Sequence, residues 1–348
     1  MRPRLHLTAA RGWLNDPHGI TWHDGRYHVF HQAVADSLQH DLQVSWGHAT
    51  SPDLVRFEHH RPALEPGDGE DGIWTGCVVA EEGAPEGAVA FYTAGDVPDV
   101  AIGRVRVARP ADAAWERWTK GEVVVRAPGA LDLVEFRDPF VLRDGTGWRM
   151  FVAGAGRGGT AVVMTWVSDD LASWEYDGVA LERSGAERDP WMGEMWECPQ
   201  LFPVGDRWAM VVSVWTPGTL HHAGYALGSL TDGRFTADTW GRLSWGSYYA
   251  PSYFLDRDGR PSLMFWMRDV GDAAEGWQSC LSVPHLIDVR DDRLVLAPHP
   301  HLLDALDALG EPLVEGPHGL TLVDGPVVET WSDGRVTGGP VSAQVVES

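Results

Sequence analysis

The sequence is poor in cysteine and in positive charge, and it contains no long hydrophobic run. Its three cysteines, Cys77, Cys198 and Cys280, are far apart and lack CxxC spacing, so neither a disulfide framework nor a zinc site is predicted. Lysine and arginine number 27 against 50 acidic residues, and the net charge of -23 disfavours nucleic acid and anionic membranes as partners. No segment approaches the roughly 18 apolar residues of a membrane span. Residues 1–7 lack the apolar core of a signal peptide, which predicts a cytoplasmic protein unless a leader has been removed.

Tryptophan, glycine and proline are abundant, with 18, 40 and 23 residues among 348. Frequent chain breakers are typical of short strands joined by many turns. Indole rings fill protein cores, and they also stack on the flat apolar faces of sugars. The composition therefore favours an all-β protein whose partner is a small neutral molecule such as a sugar.

Five short apolar runs follow turn signals at nearly constant spacing. The central residues of these runs lie 61, 60, 60 and 54 residues apart, and they are Phe30, Phe91, Phe151, Val211 and Phe265. A period of this length that contains strand-sized pieces is typical of four-stranded propeller blades. The sequence thus predicts a five-bladed β-propeller over residues 1–298. Residues 299–348 are predicted to form a short helix and a few residual strands, which are too few for a second core.

Three acidic residues share one position in this repeat. Asp16, Asp138 and Glu197 precede their strand markers by 14, 13 and 14 residues. The matching positions in the second and fifth units hold Trp74-Thr75-Gly76 and Tyr249-Ala250-Pro251. The element before the second strand of a blade is its innermost strand, so the repeat places all three acids around one central channel.

A group of three carboxyls suits the cleavage of a glycosidic bond. That reaction needs a proton for the leaving oxygen and a carboxylate near the anomeric carbon. Close carboxyls raise one another's pKa, so a protonated and an ionised acid coexist near neutral pH. Arg137 is expected to keep its neighbour Asp138 ionised, which suits the binding of hydroxyls. Calcium is an alternative ligand, but the sequence has no dense Asp/Asn loop, and neither a metal nor a cofactor is predicted.

Several motifs resemble those of glycoside hydrolase family 32, the invertases, levanases and inulinases. Residues 13–19 (WLNDPHG), 137–139 (RDP) and 197–199 (ECP) are similar to its three signature motifs and occur in the same order. Further similarity lies at Gln32, Trp46 to Ala49, Gly72 to Gly76, Tyr249 to Pro251 and Phe265 to Met267. The resemblance covers about residues 5–310.

The resemblance implies a five-bladed propeller and a retaining reaction on β-fructofuranosides such as sucrose, fructo-oligosaccharides and fructans. It assigns Asp16 as the nucleophile, Glu197 as the acid/base and Asp138 as the stabiliser of the transition state. The substrate-binding residues that it implies are Asn15, His18, Gln32, Trp46, Trp74, Thr75, Arg137, Tyr249 and Trp266.

The chain departs from the family pattern in two respects. His18 stands where the family usually has asparagine, on the turn of the expected nucleophile, and this predicts an altered pocket rim. Family members usually add a full β-sandwich, whereas residues 323–335 resemble only its last strands. The missing surface leads to the hypothesis that a partner subunit, as in a homo-oligomer, replaces it.

Three other functions are compatible with this set of acids. A fructosyltransferase, including one that cyclises its substrate, would share the fructosyl-enzyme and differ in how it excludes water. An inverting propeller glycosidase for arabinose or xylose chains also uses two aspartates and one glutamate. A sugar-binding propeller without catalysis is the alternative from another class, although such relatives usually lose one of the acids.

Overall fold

A computed structural model describes residues 1–80 and 87–341 of the chain. Within these residues nearly all regular structure is β-strand, and the prediction of an all-β protein is confirmed. The described residues include no helix that is both long and apolar enough to cross a membrane. Two parts of the predictions lie outside the described residues. They are Glu86, which begins the turn before the run that contains Phe91, and residues 342–348 of the predicted C-terminal part.

The first sixteen strands fall into four antiparallel groups of four, each formed by strands that follow one another in the chain. The first group contains β1 (Gly12–His23), β2 (Arg26–Val34), β3 (Ser45–Ser51) and β4 (Glu58–His59). The second contains β5 (Gly72–Ala80), β6 (Ala88–Gly95), β7 (Arg104–Pro110) and β8 (Trp118–Arg126). The third contains β9 (Leu133–Asp144), β10 (Gly147–Gly156), β11 (Thr160–Ser168) and β12 (Glu175–Ser184). The fourth contains β13 (Met195–Val204), β14 (Arg207–Thr216), β15 (Thr219–Thr231) and β16 (Arg234–Arg242).

A fifth group follows the short strand β17 (Ser244–Gly246). It contains β18 (Tyr248–Leu255), β19 (Pro261–Asp272), β20 (Trp277–Leu281), β21 (His285–Arg290) and β22 (Arg293–Pro298), with a 3-10 helix at Ala273–Glu275. Strand β20 pairs in parallel with the start of β1, so the last group of the repeat is joined to the first in one sheet.

The five marker residues predicted from the repeat lie in the second strand of each group. These strands are β2, β6, β10, β14 and β19, and every marker is 0% exposed. The first strands contact one another in the order β1, β5, β9, β13 and β18, and β18 contacts β1. The first strand of each group therefore lies next to the first strands of two other groups, and the five first strands surround a common centre.

The rest of the chain packs on this assembly. Helix α1 (Pro300–Leu309) lies where a helix was predicted, and it precedes β23 (Val314–Gly316), β24 (Gly319–Asp324), β25 (Val327–Ser332) and β26 (Arg335–Pro340). Strand β26 pairs in parallel with β17. Leu302 and Leu306 of the helix and Trp331 and Val336 of the last strands belong to the same apolar core as Phe265. The C-terminal sheet is thus part of the main core.

A buried ionic network fastens this sheet to the start of the chain. His6 Nδ1 lies 2.8 Å from Asp324 Oδ2, and His6 Nε2 lies 3.1 Å from Glu329 Oε1. Asp324 also accepts hydrogen bonds from the backbone N–H groups of Arg4 and Leu5. Burial opposes the charge on His6, but the two carboxylates outweigh burial and raise the pKa of His6 to about 9. The same contact lowers the pKa of Asp324, so the pair is ionised near neutral pH.

This network predicts a pH-dependent contribution to stability. Because the folded-state pKa of His6 lies above its unfolded value of about 6.5, its contribution is complete below pH 6.5 and disappears as the pH rises through about 9. His6→Gln leaves two carboxylates buried without their cation, and it should lower the free energy of unfolding at pH 6 by about 3–5 kcal/mol. Urea unfolding of both proteins at pH 6 and pH 9.5 measures the difference.

The matched control is Arg157→Gln, which breaks an exposed ion pair with Asp132 at 2.8 Å. Solvent screens such a pair, so this variant should unfold like the wild type at both pH values. An equal cost of His6→Gln at pH 6 and pH 9.5 would contradict a charged His6.

Candidate active site

A β-bulge interrupts the first strand of every group at the same place. The pairing with the second strand skips Asp16 in β1, Thr75 in β5 and Asp138 in β9. It also skips 198–199 in β13 and 250–251 in β18. A bulge leaves its extra residue unpaired and re-aims the neighbouring side chains. All five positions matched by the repeat therefore lie on distorted backbone at the centre of the assembly.

Left-handed backbone conformations mark these bulges. The φ angle is 40° at Asp16, 65° at Asp138, 49° at Cys198 and 43° at Ala250. Residues other than glycine adopt this region rarely, and it costs of order 1–3 kcal/mol at each position. The surrounding contacts must stabilise the distorted turns that present the acids.

A chain of side-chain donors ends at the Asp16 carboxylate. Trp13 Nε1 donates to Asn15 Oδ1, and Asn15 Nδ2 donates to Gln32 Oε1. Gln32 Nε2 donates to Thr75 Oγ1 at 2.7 Å and to Asp16 Oδ2 at 3.3 Å. Thr75 Oγ1 donates to the same Asp16 oxygen at 2.8 Å. These donors converge on Oδ2 and fix the orientation of the carboxylate.

Asp138 is held by groups on the neighbouring strands. Its backbone N–H donates to Thr93 Oγ1 at 2.7 Å, and its Oδ2 accepts from the Cys198 N–H at 2.9 Å. The Cys198 thiol lies between the two aspartates, with Sγ 3.6 Å from Asp138 Oδ2 and 3.9 Å from Asp16 Oδ2. Asp16 and Asp138 are thus brought together beside Glu197, the residue before Cys198.

Two donors orient Glu197. The Tyr249 hydroxyl donates to Glu197 Oε2 at 2.7 Å, and Arg137 Nη1 donates to Oε1 at 3.4 Å. The other terminal nitrogen of Arg137 pairs with Glu135, and the guanidinium lies over the Trp74 ring at 5.1 Å. Residues from β9, β13 and β18 therefore build the surroundings of this carboxyl group.

Burial dominates the electrostatics of the acid group. Burial and the nearby Glu197 raise the pKa of Asp16 to about 6, although the Thr75 hydrogen bond opposes the shift. Burial and Glu197 likewise raise the pKa of Asp138 to about 8. The expectation that Arg137 keeps Asp138 ionised is wrong, because the guanidinium lowers the pKa of Asp138 but burial and Glu197 outweigh it. Asp138 therefore retains its proton at neutral pH while Asp16 is mostly ionised.

Aromatic side chains stand around the acids. The Trp266 ring contacts those of Trp13 and Tyr249 edge-on, with centroid distances of 5.6 Å and 6.2 Å. Trp266 Nε1 is buried and has no hydrogen-bond partner among the described residues. Trp74 Nε1 donates to the Leu42 carbonyl. An unpaired indole N–H next to Tyr249, whose hydroxyl contacts Glu197, is a donor suited to a hydroxyl of a bound molecule.

His18 and Trp46 are bonded to backbone next to the acids. His18 Nδ1 donates to the carbonyl of Asp16 at 2.8 Å, and its ring packs on Trp46 at 4.2 Å. Trp46 Nε1 donates to the carbonyl of Trp74 at 2.9 Å. The predicted place of His18 at the pocket rim is wrong, because the ring is 1% exposed and lies behind the Asp16 turn.

One group of residues has the composition of a metal site. Among the described residues, the ligand atoms of Asp256, His299 and His301 lie within 4.8 Å of one another and are buried. His299 Nδ1 accepts from the His301 N–H at the start of α1, so its proton is on Nε2, 3.2 Å from Asp256. Arg260 also donates to this carboxylate, and the Tyr27 hydroxyl contacts His301. The hydrogen bonds engage Asp256, His301 and one ring nitrogen of His299, and this arrangement fits a helix cap better than a metal.

Sequence reasoning missed several supporting residues. Cys198 lies inside a recognised motif but was given no role, although its N–H and thiol contact the acids. Thr93, Glu135 and Arg268 lie on second strands or at strand starts, outside the motifs. Among these residues, only Cys198 could have been predicted from the sequence to contact the acids, because it directly follows Glu197.

The similarity of the chain to known proteins agrees with this geometry. The sequence model of the N-terminal domain of glycosyl hydrolases family 32 matches residues 6–300. The chain belongs to this family. The resemblance seen in the motifs is thereby confirmed.

Among family 32 relatives, sucrose-6-phosphate hydrolase of Escherichia coli is 30% identical over 320 residues, which cover 85% of this chain and 64% of that protein. Raffinose invertase of the same organism is 30% identical over 321 residues, with the same coverage. The chain therefore spans slightly less than two thirds of the length of these curated relatives.

Solved structures share the fold. Sucrose-6-phosphate hydrolase from Lactobacillus gasseri superposes with a TM-score of 0.79 at 20% identity, covering 97% of this chain and 88% of that one. A β-fructofuranosidase of Bombyx mori gives a TM-score of 0.75 at 24% identity, covering 94% and 70%. In both likenesses the covered share of this chain exceeds the region matched by the family model.

The shared burial of the acids predicts unusual titrations. In carboxyl carbon NMR, with Asp16→Asn and Asp138→Asn used for assignment, Asp16 should titrate near pH 6 and Asp138 near pH 8. Glu197→Gln removes a neighbouring negative charge, which makes ionisation easier, so both midpoints should fall. The exposed Glu194→Gln is the control and should move neither midpoint. Midpoints near 4 for both aspartates in the wild type would contradict the proximity of the three acids.

Proposed function

We propose that this chain is a retaining glycoside hydrolase that releases terminal β-D-fructofuranosyl residues from sucrose, fructo-oligosaccharides or fructans. The observation that carries the proposal is the meeting of Asp16, Asp138 and Glu197, joined through the Cys198 backbone and thiol. Family membership and the names of the relatives, which are sucrose-cleaving hydrolases and fructan hydrolases, support the substrate class. A sugar is the expected partner, and no cofactor is needed.

We also propose that residues 1–298 form a five-bladed β-propeller, with 299–348 as a shortened remnant of a β-sandwich. The circuit of contacts among the five first strands and the five matching bulges support this description. The parallel pairing of β20 with β1 supports closure between the last and first blades. A homo-oligomer and a cytoplasmic location stay predictions.

In the first step, Asp16 attacks the anomeric carbon of the fructosyl unit. Because its hydrogen-bond donors converge on Oδ2, we assign Oδ1 as the attacking oxygen. The bond from the anomeric carbon to the leaving oxygen breaks as Glu197 transfers to that oxygen the proton that the close carboxyls share and that Glu197 holds in the substrate complex. The products of this step are the free leaving sugar, a fructosyl ester on Asp16 and an ionised Glu197, which Arg137 and Tyr249 stabilise by donating to it.

In the second step, a water molecule replaces the leaving sugar. Glu197 accepts a proton from the water as its oxygen attacks the anomeric carbon, and the ester bond to Asp16 breaks. Fructose leaves with its configuration retained, Asp16 returns as a carboxylate and Glu197 as an acid. Transfer of fructose to another sugar would follow the same course, with a sugar hydroxyl in place of water.

Asp138 and the neutral donors bind the hydroxyls of fructose. A protonated Asp138 donates one hydrogen bond while its Oδ2 accepts from Cys198, and Trp266 Nε1 offers a second donor. Arg137, held over Trp74, adds a charged donor next to Glu197. These groups act in a buried site, where hydrogen bonds to a developing charge are strongest.

Removal of either reacting acid tests the function. Asp16→Ala and Glu197→Ala should each lower kcat on sucrose by at least about a thousandfold while leaving the fold intact. Asp206→Ala, which changes an exposed acid in the turn between β13 and β14, is the control and should keep full activity.

Identification of the products of the wild-type enzyme distinguishes the proposed function from the alternatives. NMR of sucrose, inulin and levan reactions from the first turnover should show free fructose with retained configuration. Inverted product would reject the mechanism, and new oligosaccharides or cyclic products would identify a transferase. A wild type that binds but never turns over these sugars would identify a binding protein.

The histidine behind the nucleophile gives a second prediction. His18 Nδ1 satisfies the Asp16 carbonyl, which the bulge leaves without a strand partner. His18→Asn can reproduce this donor and should keep kcat within about threefold, whereas His18→Ala should lower kcat on the order of 100-fold because the nucleophile shifts. Steady-state kinetics on sucrose, with melting temperatures to verify folding, compares the two variants. Equal losses would show that the hydrogen bond is not what positions Asp16.

A further inference from the structure

Arg268 stands behind the contact between Tyr249 and Glu197. Its guanidinium carbon lies 5.1 Å from the centroid of the Tyr249 ring, whose hydroxyl donates to Glu197 Oε2 at 2.7 Å. Arg268 follows Trp266 by two positions on β19, so alternation places both side chains on the same face of the strand. This arginine lies outside the positions matched by the repeat and outside the family motifs.

The other bonds of Arg268 fix the guanidinium in place. Nη1 donates to the carbonyl of Leu220 at 2.9 Å, and Nη2 donates to that of His221 at 3.1 Å. Within residues 1–80 and 87–341, no carboxylate lies within 4.0 Å of the guanidinium nitrogens. The positive charge is therefore directed to the tyrosine ring and to the backbone of β15 rather than to an ion pair.

The Tyr249 hydroxyl has a competing acceptor. The carbonyl of Val214 lies 3.4 Å from the hydroxyl oxygen, against 2.7 Å for Glu197. A small tilt of the ring would exchange the short bond for the longer one. A cation over the ring face resists such a tilt, because it is attracted to the negative face of the aromatic system.

We infer that Arg268 is a positioning residue for the acid/base of the proposed reaction: it holds Tyr249 so that the phenol hydroxyl orients the Glu197 carboxyl toward the leaving oxygen. This inference rests on the proposed function. Arg268 affects the step in which the bond to the leaving oxygen breaks and Glu197 gives its proton to that oxygen. It has no role in the attack by Asp16, which β1 and β5 position separately.

The test compares two substrates that differ in their need for a proton. Sucrose requires protonation of its leaving oxygen, whereas the nitrophenolate of p-nitrophenyl β-D-fructofuranoside leaves without it. Arg268→Gln should lower kcat/KM on sucrose about tenfold, a part of the 10²–10⁴-fold that general acids contribute. It should change kcat/KM on the nitrophenyl substrate less than about twofold, because kcat/KM reports the steps through formation of the fructosyl-enzyme and excludes the later step in which Glu197 acts as a base. Arg268→Lys keeps the charge but not the planar stack, and it should fall between Arg268→Gln and the wild type.

The control is Arg143→Gln, which removes another arginine-ring contact, with Trp148 at 4.5 Å, on an exposed turn. It should leave both rates unchanged. Equal losses on the two substrates in the Arg268 variants would overturn the inference and show a general structural role. Unchanged rates on both would overturn it as well.

A double-mutant cycle tests whether Arg268 acts through Tyr249, and it can be interpreted even if the variants are somewhat less stable than the wild type. If Arg268 acts through Tyr249, Arg268→Gln should reduce sucrose turnover no further in a Tyr249→Phe background. Additive losses would contradict that route. A wild type that cleaves neither fructoside would instead reject the proposed function, so the two failures are distinguishable.

Discussion

The structure depends on one repeated distortion, a bulge at the same position of five first strands. A regular strand would turn successive side chains to opposite faces, and Asp16 and Asp138 could not be presented together with Glu197. The bulges carry left-handed residues, whose strain the surrounding hydrogen bonds offset. Thr93, Thr75, His18 and Cys198 are small or polar contributors to this support. The reactive centre therefore draws its geometry from backbone as much as from side chains.

The crowding of three carboxyls, of which Asp138 is buried and Asp16 and Glu197 are partly exposed, produces their division of labour. Arg137 is paired with glutamates and only partly offsets the effect of burial on the pKa values of the two aspartates, and Arg268 contacts an aromatic ring. The pKa values of Asp16 and Asp138 consequently rise to about 6 and about 8, which leaves one ionised and one protonated near neutral pH. An ionised nucleophile beside a neutral hydrogen-bond donor is a combination that a retaining mechanism can use.

The C-terminal sheet packs as a part of the main core. Its side chains join the main apolar core, and the network of His6 with Asp324 and Glu329 joins the two ends of the described chain. The sequence predicted the helix and the residual strands of this part, because capping and turn residues are local signals. It did not find the ionic network, since His6 and Asp324 are more than 300 residues apart and no local pattern connects them.

The sequence by itself determined the repeat, the all-β class and the identity of the three acids, because spacing and turn chemistry are properties of neighbouring residues. Only the tertiary structure decided which groups touch those acids. It bonded His18 to the backbone of the nucleophile, bonded Arg137 to Glu135 and Glu197, and set Arg268 against Tyr249. Each of these outcomes rests on distances of a few ångströms between strands far apart in the chain. Such distances set hydrogen bonds and pKa values, and no one-dimensional pattern encodes them.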